Sequence, residues 1–131
     1  MTEIIVMGHG AYAAGTKENV DMIVGVPENM RFLDLTREMD LADFETRLDE
    51  MTDGMEGEIL FVCDLMGASP FRTAAMKCAE NPDKYVTVTG VNTMGFMEMA
   101  MNGELPVSEL ADQVLKVCGE SMVRFPEKAQ L

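Results

Sequence analysis

Tryptophan is absent from this chain, and histidine occurs only once. Aromatic residues of all kinds reach just 6%. Basic side chains are few: 10 Lys and Arg stand against 23 Asp and Glu, for a net charge of -13. That balance argues against nucleic acid and against anionic membrane surfaces as partners, because binders of either present a basic face. No apolar run approaches the roughly 20 residues needed to span a bilayer, so no direct membrane insertion is expected. The first residues lack the basic segment of a signal peptide. A soluble, cytoplasmic protein is the expectation. Cysteine is scarce too. Cys63, Cys78 and Cys118 are odd in number and have no CxxC spacing, which argues against a disulfide framework. Each sits in an apolar segment and is expected to be a small buried hydrophobe. With one His and no clustered Cys, no ligand set for a metal exists.

What remains is enough for a real core. The 131 residues fit one domain, 1–131, and 47% of them are hydrophobic. Methionine is plentiful, at 14 residues, so part of the core or of a contact surface is soft and adaptable. There is no internal repeat, low-complexity tract or linker. Strands are expected at Glu3–Met7, Met30–Leu35, Ile59–Cys63 and Tyr85–Val91. Helices are expected between them. The first runs from about Ala14 to Val24, with Val20, Ile23 and Val24 on one face, and ends at Gly25 and Pro27. The second is capped by Asp40, with Leu41, Phe44, Leu48 and Met51 on its apolar face. The third runs to about Glu80 and is stopped by Asn81-Pro82. Two more are expected at Thr93–Met101 and Pro106–Glu120, followed by a mobile tail, "RFPEKAQL".

Alternating strands and helices predict an α/β fold with an open, mainly parallel four-stranded sheet and helices on both faces. The first and third strands, "IIVM" and "ILFVC", are the most continuously apolar and belong in the centre. The second and fourth alternate more and belong at the edges. The order is then 2-1-3-4. The chain reverses direction between the two central strands, and open α/β sheets bind ligands at such a switch point, outside the carboxyl ends.

The one histidine stands there. His9 leaves the first strand between Gly8 and Gly10, in "IIVMGHG", and Asp64 leaves the third strand. The flanking glycines allow a sharp turn and the close approach of another group. In "DLMGASPF", Ser69 is expected as N-cap and Pro70 as first helical residue, which places a helix N-terminus in the same crevice. Its free N–H groups suit an anion, and Gly67 lets one come close. An imidazole nucleophile, a carboxylate to fix its tautomer and a cradle for a tetrahedral anion together suit phosphoryl transfer through phosphohistidine. Two plainer readings stand beside this one. A lone His in a glycine turn is also a common turn residue. A Ser69–His9–Asp64 hydrolase triad can be written, but Ser69 precedes Pro and there is no GxSxG elbow.

The two motifs, "GHG" and "DLMGASPFRTAA", resemble the enzyme IIA domain of the mannose family of the bacterial sugar phosphotransferase system. The likeness continues through "VTVTGVNTMGFMEM", and the motif forms look closest to the branch for N-acetylgalactosamine and related amino sugars. The resemblance implies a homodimer with no organic cofactor or metal. It maps the active histidine onto His9, the orienting aspartate onto Asp64 and the phosphoryl-contacting hydroxyl onto Ser69, with Gly10 and Gly67 beside the phosphoryl group. It implies a relay in which the phosphohistidine carrier protein HPr loads His9 and an EIIB subunit unloads it for coupled sugar uptake. The donor subunit of a dihydroxyacetone kinase system and a phosphorylation-dependent regulatory module are the alternatives. Where the family commonly has a second Gly, a Thr before the histidine and a hydroxyl after the aspartate, this chain has Ala68, Gly8 and Leu65. Met94, Met97 and Met101 share a helical face, which is expected to be core, with a docking surface as the alternative. Arg72, one turn beyond Ser69, is open between contacting phosphate, contacting a partner and standing in solvent.

Overall fold

The computed structural model describes residues 1–128; residues 129–131, the end of the expected tail, lie outside the described residues. Four parallel strands, β1 (Glu3–His9), β2 (Met30–Leu35), β3 (Ile59–Cys63) and β4 (Tyr85–Thr89), lie in the order β2-β1-β3-β4. Helices α1 (Tyr12–Ile23), α2 (Leu41–Thr52), α3 (Ser69–Glu80), α4 (Thr93–Met101) and α5 (Val107–Ser121) complete the chain. The central pairing sets Ile4 opposite Leu60 and Met7 opposite Cys63. All five residues of β3, and Ile4 to Met7 of β1, are fully buried. Their continuous apolar runs are what a strand covered on both faces requires.

Alternation along the strands divides the core in two. Ile4, Val6, Leu60 and Val62 pack with Val20, Phe96, Met99, Leu110 and Val114 of α1, α4 and α5. Ile5, Met7, Ile59 and Phe61 pack with Phe44, Leu48 and Ala74 of α2 and α3. Asp40 caps α2 as expected, and Asp43 completes a reciprocal capping box: Asp43 N–H donates to Asp40 Oδ1 at 2.7 Å and Asp40 N–H to Asp43 Oδ2 at 3.2 Å.

Several sequence expectations need correction. β1 does not stop at Met7. Gly8 and His9 continue the ladder, opposite Asp34 and Leu35 of β2. α1 begins at Tyr12, two residues early, because a side chain from β2 caps it. Of its expected apolar face only Val20 is buried; Ile23 and Val24, at the helix end, are exposed. β4 ends at Thr89, where Gly90 takes φ +76° and turns the chain away. Cys63 and Cys118 are buried, but Cys78 is only half-buried and shares a hydrogen bond with the Thr87 hydroxyl at 3.1 Å. The buried face of α4 is Gly95, Phe96 and Met99, whereas Met94 and Met101 are exposed. Gly95 allows α4 to approach α5 closely there, so the smallest residue and not the Met triad marks the inward face.

Candidate active site

The parallel sheet delivers the ends of β1 and β3 to one rim. There the Asp64 carboxylate accepts two hydrogen bonds on the same oxygen, Oδ2. One comes from the His9 backbone N–H at 2.9 Å and one from His9 Nδ1 at 2.8 Å. The first fixes where the histidine sits and the second fixes its ring. A carboxylate only accepts, so Nδ1 carries the proton and Nε2 keeps its lone pair. The His9 side chain is 46% exposed and that of Asp64 is 17% exposed. An accessible nucleophile is thus held by a sheltered orienter. Burial pushes the Asp64 carboxyl up, but the His9 backbone and ring hydrogen bonds and the imidazole charge outweigh it, and the carboxyl titrates below its ordinary range. Asp64 Oδ1 is buried without a hydrogen-bond partner among the described residues.

The two glycines beside His9 serve different ends. Gly10 adopts φ +63°, a turn that L side chains rarely take, and its N–H is tied to Leu35 carbonyl at 3.0 Å. Gly8 makes room. A Cβ there would lie 2.6 Å from Tyr12 Cδ2 and 2.9 Å from Asp64 Cγ. Tyr12 and the Asp64 carboxylate therefore both close over Gly8, and the Tyr12 ring lies edge-to-face on Phe96 at 6.4 Å. Burial, and then the Asp64 charge, raise its phenol to about 12, so the ring stays neutral.

The anion cradle differs in detail from expectation. The N-cap of α3 is Ala68, extended at φ -81° and ψ 177°, and Ser69 is the first helical residue, with Pro70 second. Gly67, at φ +81°, turns the loop into this start. Ala68 has no capping side chain, so the N-terminal amides of α3 are left unsatisfied by any cap. The Ser69 hydroxyl makes no hydrogen bond among the described residues, to His9 or to any other group. The His9 ring is placed at the rim by its bond to Asp64. Arg72 is exposed and forms no salt bridge among the described residues. Leu65 and Met66, between Asp64 and Ser69, are 59% and 74% exposed.

Two residues of the rim escaped sequence reasoning. Tyr12 is one. The other is Asp34, opposite Gly8 in β2, whose Oδ1 accepts from Ala13 N–H at 2.7 Å and whose Oδ2 accepts from Ala14 N–H at 3.0 Å. A lone carboxylate in the otherwise apolar "FLDL" was the available signal.

This constellation can accept a phosphoryl group on Nε2, stabilise the cationic ring through Asp64 and hold phosphoryl oxygens at the α3 N-terminus. Comparison with known proteins gives the family. The family model described as EIIA-man, PTS system fructose IIA component, matches residues 3–116. The sorbose-specific EIIA component of the phosphotransferase system of Lacticaseibacillus casei is 27% identical over 128 residues, covering 96% of this chain and 92% of the relative. The phosphotransferase system component EIIA from Streptococcus agalactiae has a TM-score of 0.88 at 26% identity, covering 95% of this chain and 98% of that one. The mannose/sorbose-specific IIA subunit from Enterococcus faecalis has a TM-score of 0.84 at 27% identity, covering 99% and 98%. A family match over most of the chain, on a fold that sets histidine against aspartate at its switch point, makes this chain a member of the EIIA-man family, the EIIA phosphocarriers of the sugar phosphotransferase system.

Proposed function

We propose that His9 is the phosphoryl carrier, loaded by the phosphohistidine carrier protein HPr and unloaded by an EIIB subunit of a mannose-family permease. The 2.8 Å bond from His9 Nδ1 to Asp64 carries this reading, because it leaves Nε2 as the free nucleophile. In loading, Nε2 forms a bond to phosphorus as the bond from phosphorus to the donor's histidine nitrogen breaks, and the donor ring leaves neutral. Nδ1 keeps its proton throughout, and Asp64 balances the charge on the ring. Gly10, Gly67 and Ser69 shape the space around the phosphoryl group, with the Ser69 hydroxyl and the α3 amides as donors. Unloading reverses the exchange toward the EIIB acceptor. No metal or organic cofactor takes part in this scheme.

The exposure of His9 suits transfer between proteins, where the acceptor must reach another chain's reactive group. Exposed Leu65 and Met66 beside it give apolar contact for such a partner, and Met94 adds an adaptable one. No helix among the described residues is long and apolar enough to cross a membrane. We place the protein in the cytoplasm as a homodimer, with membrane passage left to the permease. The motif forms support the amino-sugar branch, whereas two of the named relatives are described as sorbose-specific and mannose/sorbose-specific.

The test is phosphorylation with phosphoenolpyruvate, enzyme I and HPr, read by intact mass. One added phosphate, labile in acid, stable in base and absent from folded His9→Gln, is the expected result. Uptake of such a phosphate by His9→Gln would refute the assignment. A panel of EIIB subunits and a dihydroxyacetone kinase as acceptors then separates transport from the kinase alternative.

A further inference from the structure

Two helices start at the rim where His9 stands, and each N-terminus is a potential home for an anion. Only one is open. The first turn of α3 has no capping side chain. The first turn of α1 is closed: Asp34 places one carboxylate oxygen on Ala13 N–H at 2.7 Å and the other on Ala14 N–H at 3.0 Å. α1 supplies no cap of its own, since its N-cap is Ala11. The closing carboxylate comes from β2, directly opposite Gly8 in the ladder.

We propose that Asp34 is a positioning residue for phosphoryl transfer at His9, acting by filling the α1 N-terminus and thereby pinning the segment that follows the histidine. The proposal rests on the phosphotransfer reading above. Asp34 would act in two ways. It anchors the far end of the His9–Tyr12 segment, whose near end is held by the His9 N–H bond to Asp64 and whose turn is held by the Gly10 N–H bond to Leu35. It also denies the α1 amides to phosphoryl oxygens by putting a negative charge there. The transferred group is then left with the first turn of α3, which no side chain caps. No hydrogen bond joins Asp34 to the His9 ring among the described residues, so it acts through backbone placement and charge.

The test compares wild type, Asp34→Ala and Asp34→Asn as full chains. Folding is checked by thermal melts and amide NMR spectra. Transfer from phosphorylated HPr is followed by rapid quench, and inorganic phosphate is titrated against the amide spectrum. Asp34→Ala is expected to slow the first-order transfer step by about tenfold or more, as misplacement of a reacting group does, with the KM for HPr within about twofold of wild type. Phosphate is expected to shift the Ala13 and Ala14 amides in Asp34→Ala and not in wild type. The slowed transfer step at unchanged KM is the readout that a merely structural cap would leave unmoved; the amide shifts report that Asp34 keeps anions off α1. Asp34→Asn retains one acceptor and loses the charge, and should fall between the two; it carries the test if Asp34→Ala does not fold. A folded variant that transfers within about twofold of wild type, a loss carried by KM alone, or α1 amides indifferent to phosphate would each overturn the role of Asp34. A wild type that accepts no phosphate would instead refute the phosphotransfer reading.

Discussion

Gly8 is the position where a single methyl group should disturb the chemistry most. An alanine Cβ would lie 2.9 Å from Asp64 Cγ and 2.6 Å from Tyr12 Cδ2. Ordinary carbon contacts are about 3.5–4.0 Å. If the carboxylate alone yields, it must retreat by at least ~0.6 Å to reach that range. A retreat directly away from His9 would lengthen the 2.8 Å bond to Nδ1 to about 3.4 Å, beyond good hydrogen-bond geometry. The Tyr12 ring cannot swing aside freely, because it is packed on Phe96. Overpacking of this kind costs about 1–3 kcal/mol of stability, and a misplaced reacting group can cost about a hundredfold in rate. Gly8→Ala should therefore melt at lower temperature and load His9 about ten- to a hundredfold more slowly. The double variant Gly8→Ala/Tyr12→Ala removes the clash with the ring but leaves Asp64 Cγ and the Cβ at position 12, each at 2.9 Å. It should regain the part of the stability lost to the ring clash, relative to Tyr12→Ala, but not the rate. The assays are thermal denaturation and rapid-quench phosphorylation from HPr. A Gly8→Ala protein with wild-type melting and loading within twofold would show that the carboxylate is not held where the rim places it.

Three other outcomes follow from the same structure. Asp64→Asn removes the charge that supports the cationic ring and should slow loading by about a hundredfold or more. The folded Asp64 carboxyl titrates low, so it contributes stability above the unfolded value of about 3.9 and loses it as pH falls through the lower folded value. The urea midpoints of wild type and Asp64→Asn should converge as the solution is acidified through that window, and a constant gap would contradict the linkage. Cys63 is fully buried, and burial followed by the Asp64 charge pushes its thiol up to about 12. Alkylation of the native protein at about pH 8, followed by mass spectrometry, should modify Cys78 first and spare Cys63 until unfolding; early labelling of Cys63 would contradict its placement. Asp40→Ala removes the reciprocal cap of α2 and should cost about 1 kcal/mol in urea denaturation without altering loading.

The fold was legible because its signals were local or collective. Continuous apolar runs marked β1 and β3 as central, alternation marked β2 and β4 as edges, and the order followed. His9 and Asp64 were legible for the same reason, as they stand at the ends of those two central strands. What escaped the sequence was tertiary. Asp34 caps a helix 21 residues away, and no local pattern announces that. The start of α3 was placed one residue late, because Ser69 looks like a cap and only the extended backbone of Ala68 shows that the helix has already begun. The inward face of α4 was misjudged because hydrophobicity alone favoured the methionines, whereas close packing on α5 selected Gly95.

The site draws one residue from the end of β1 and one from the end of β3, the two strands most deeply enclosed. Such a pair is registered by the stiffest part of the molecule. The exposed Leu65 and Met66 and the outer faces of the helices belong to layers whose alteration leaves that register alone. A surface can thus be rewritten while the register of the central strands stays fixed, and a chain 26% identical to this one keeps the fold to a TM-score of 0.88. Choice of partner and competence in transfer become separately evolvable properties of one small sheet.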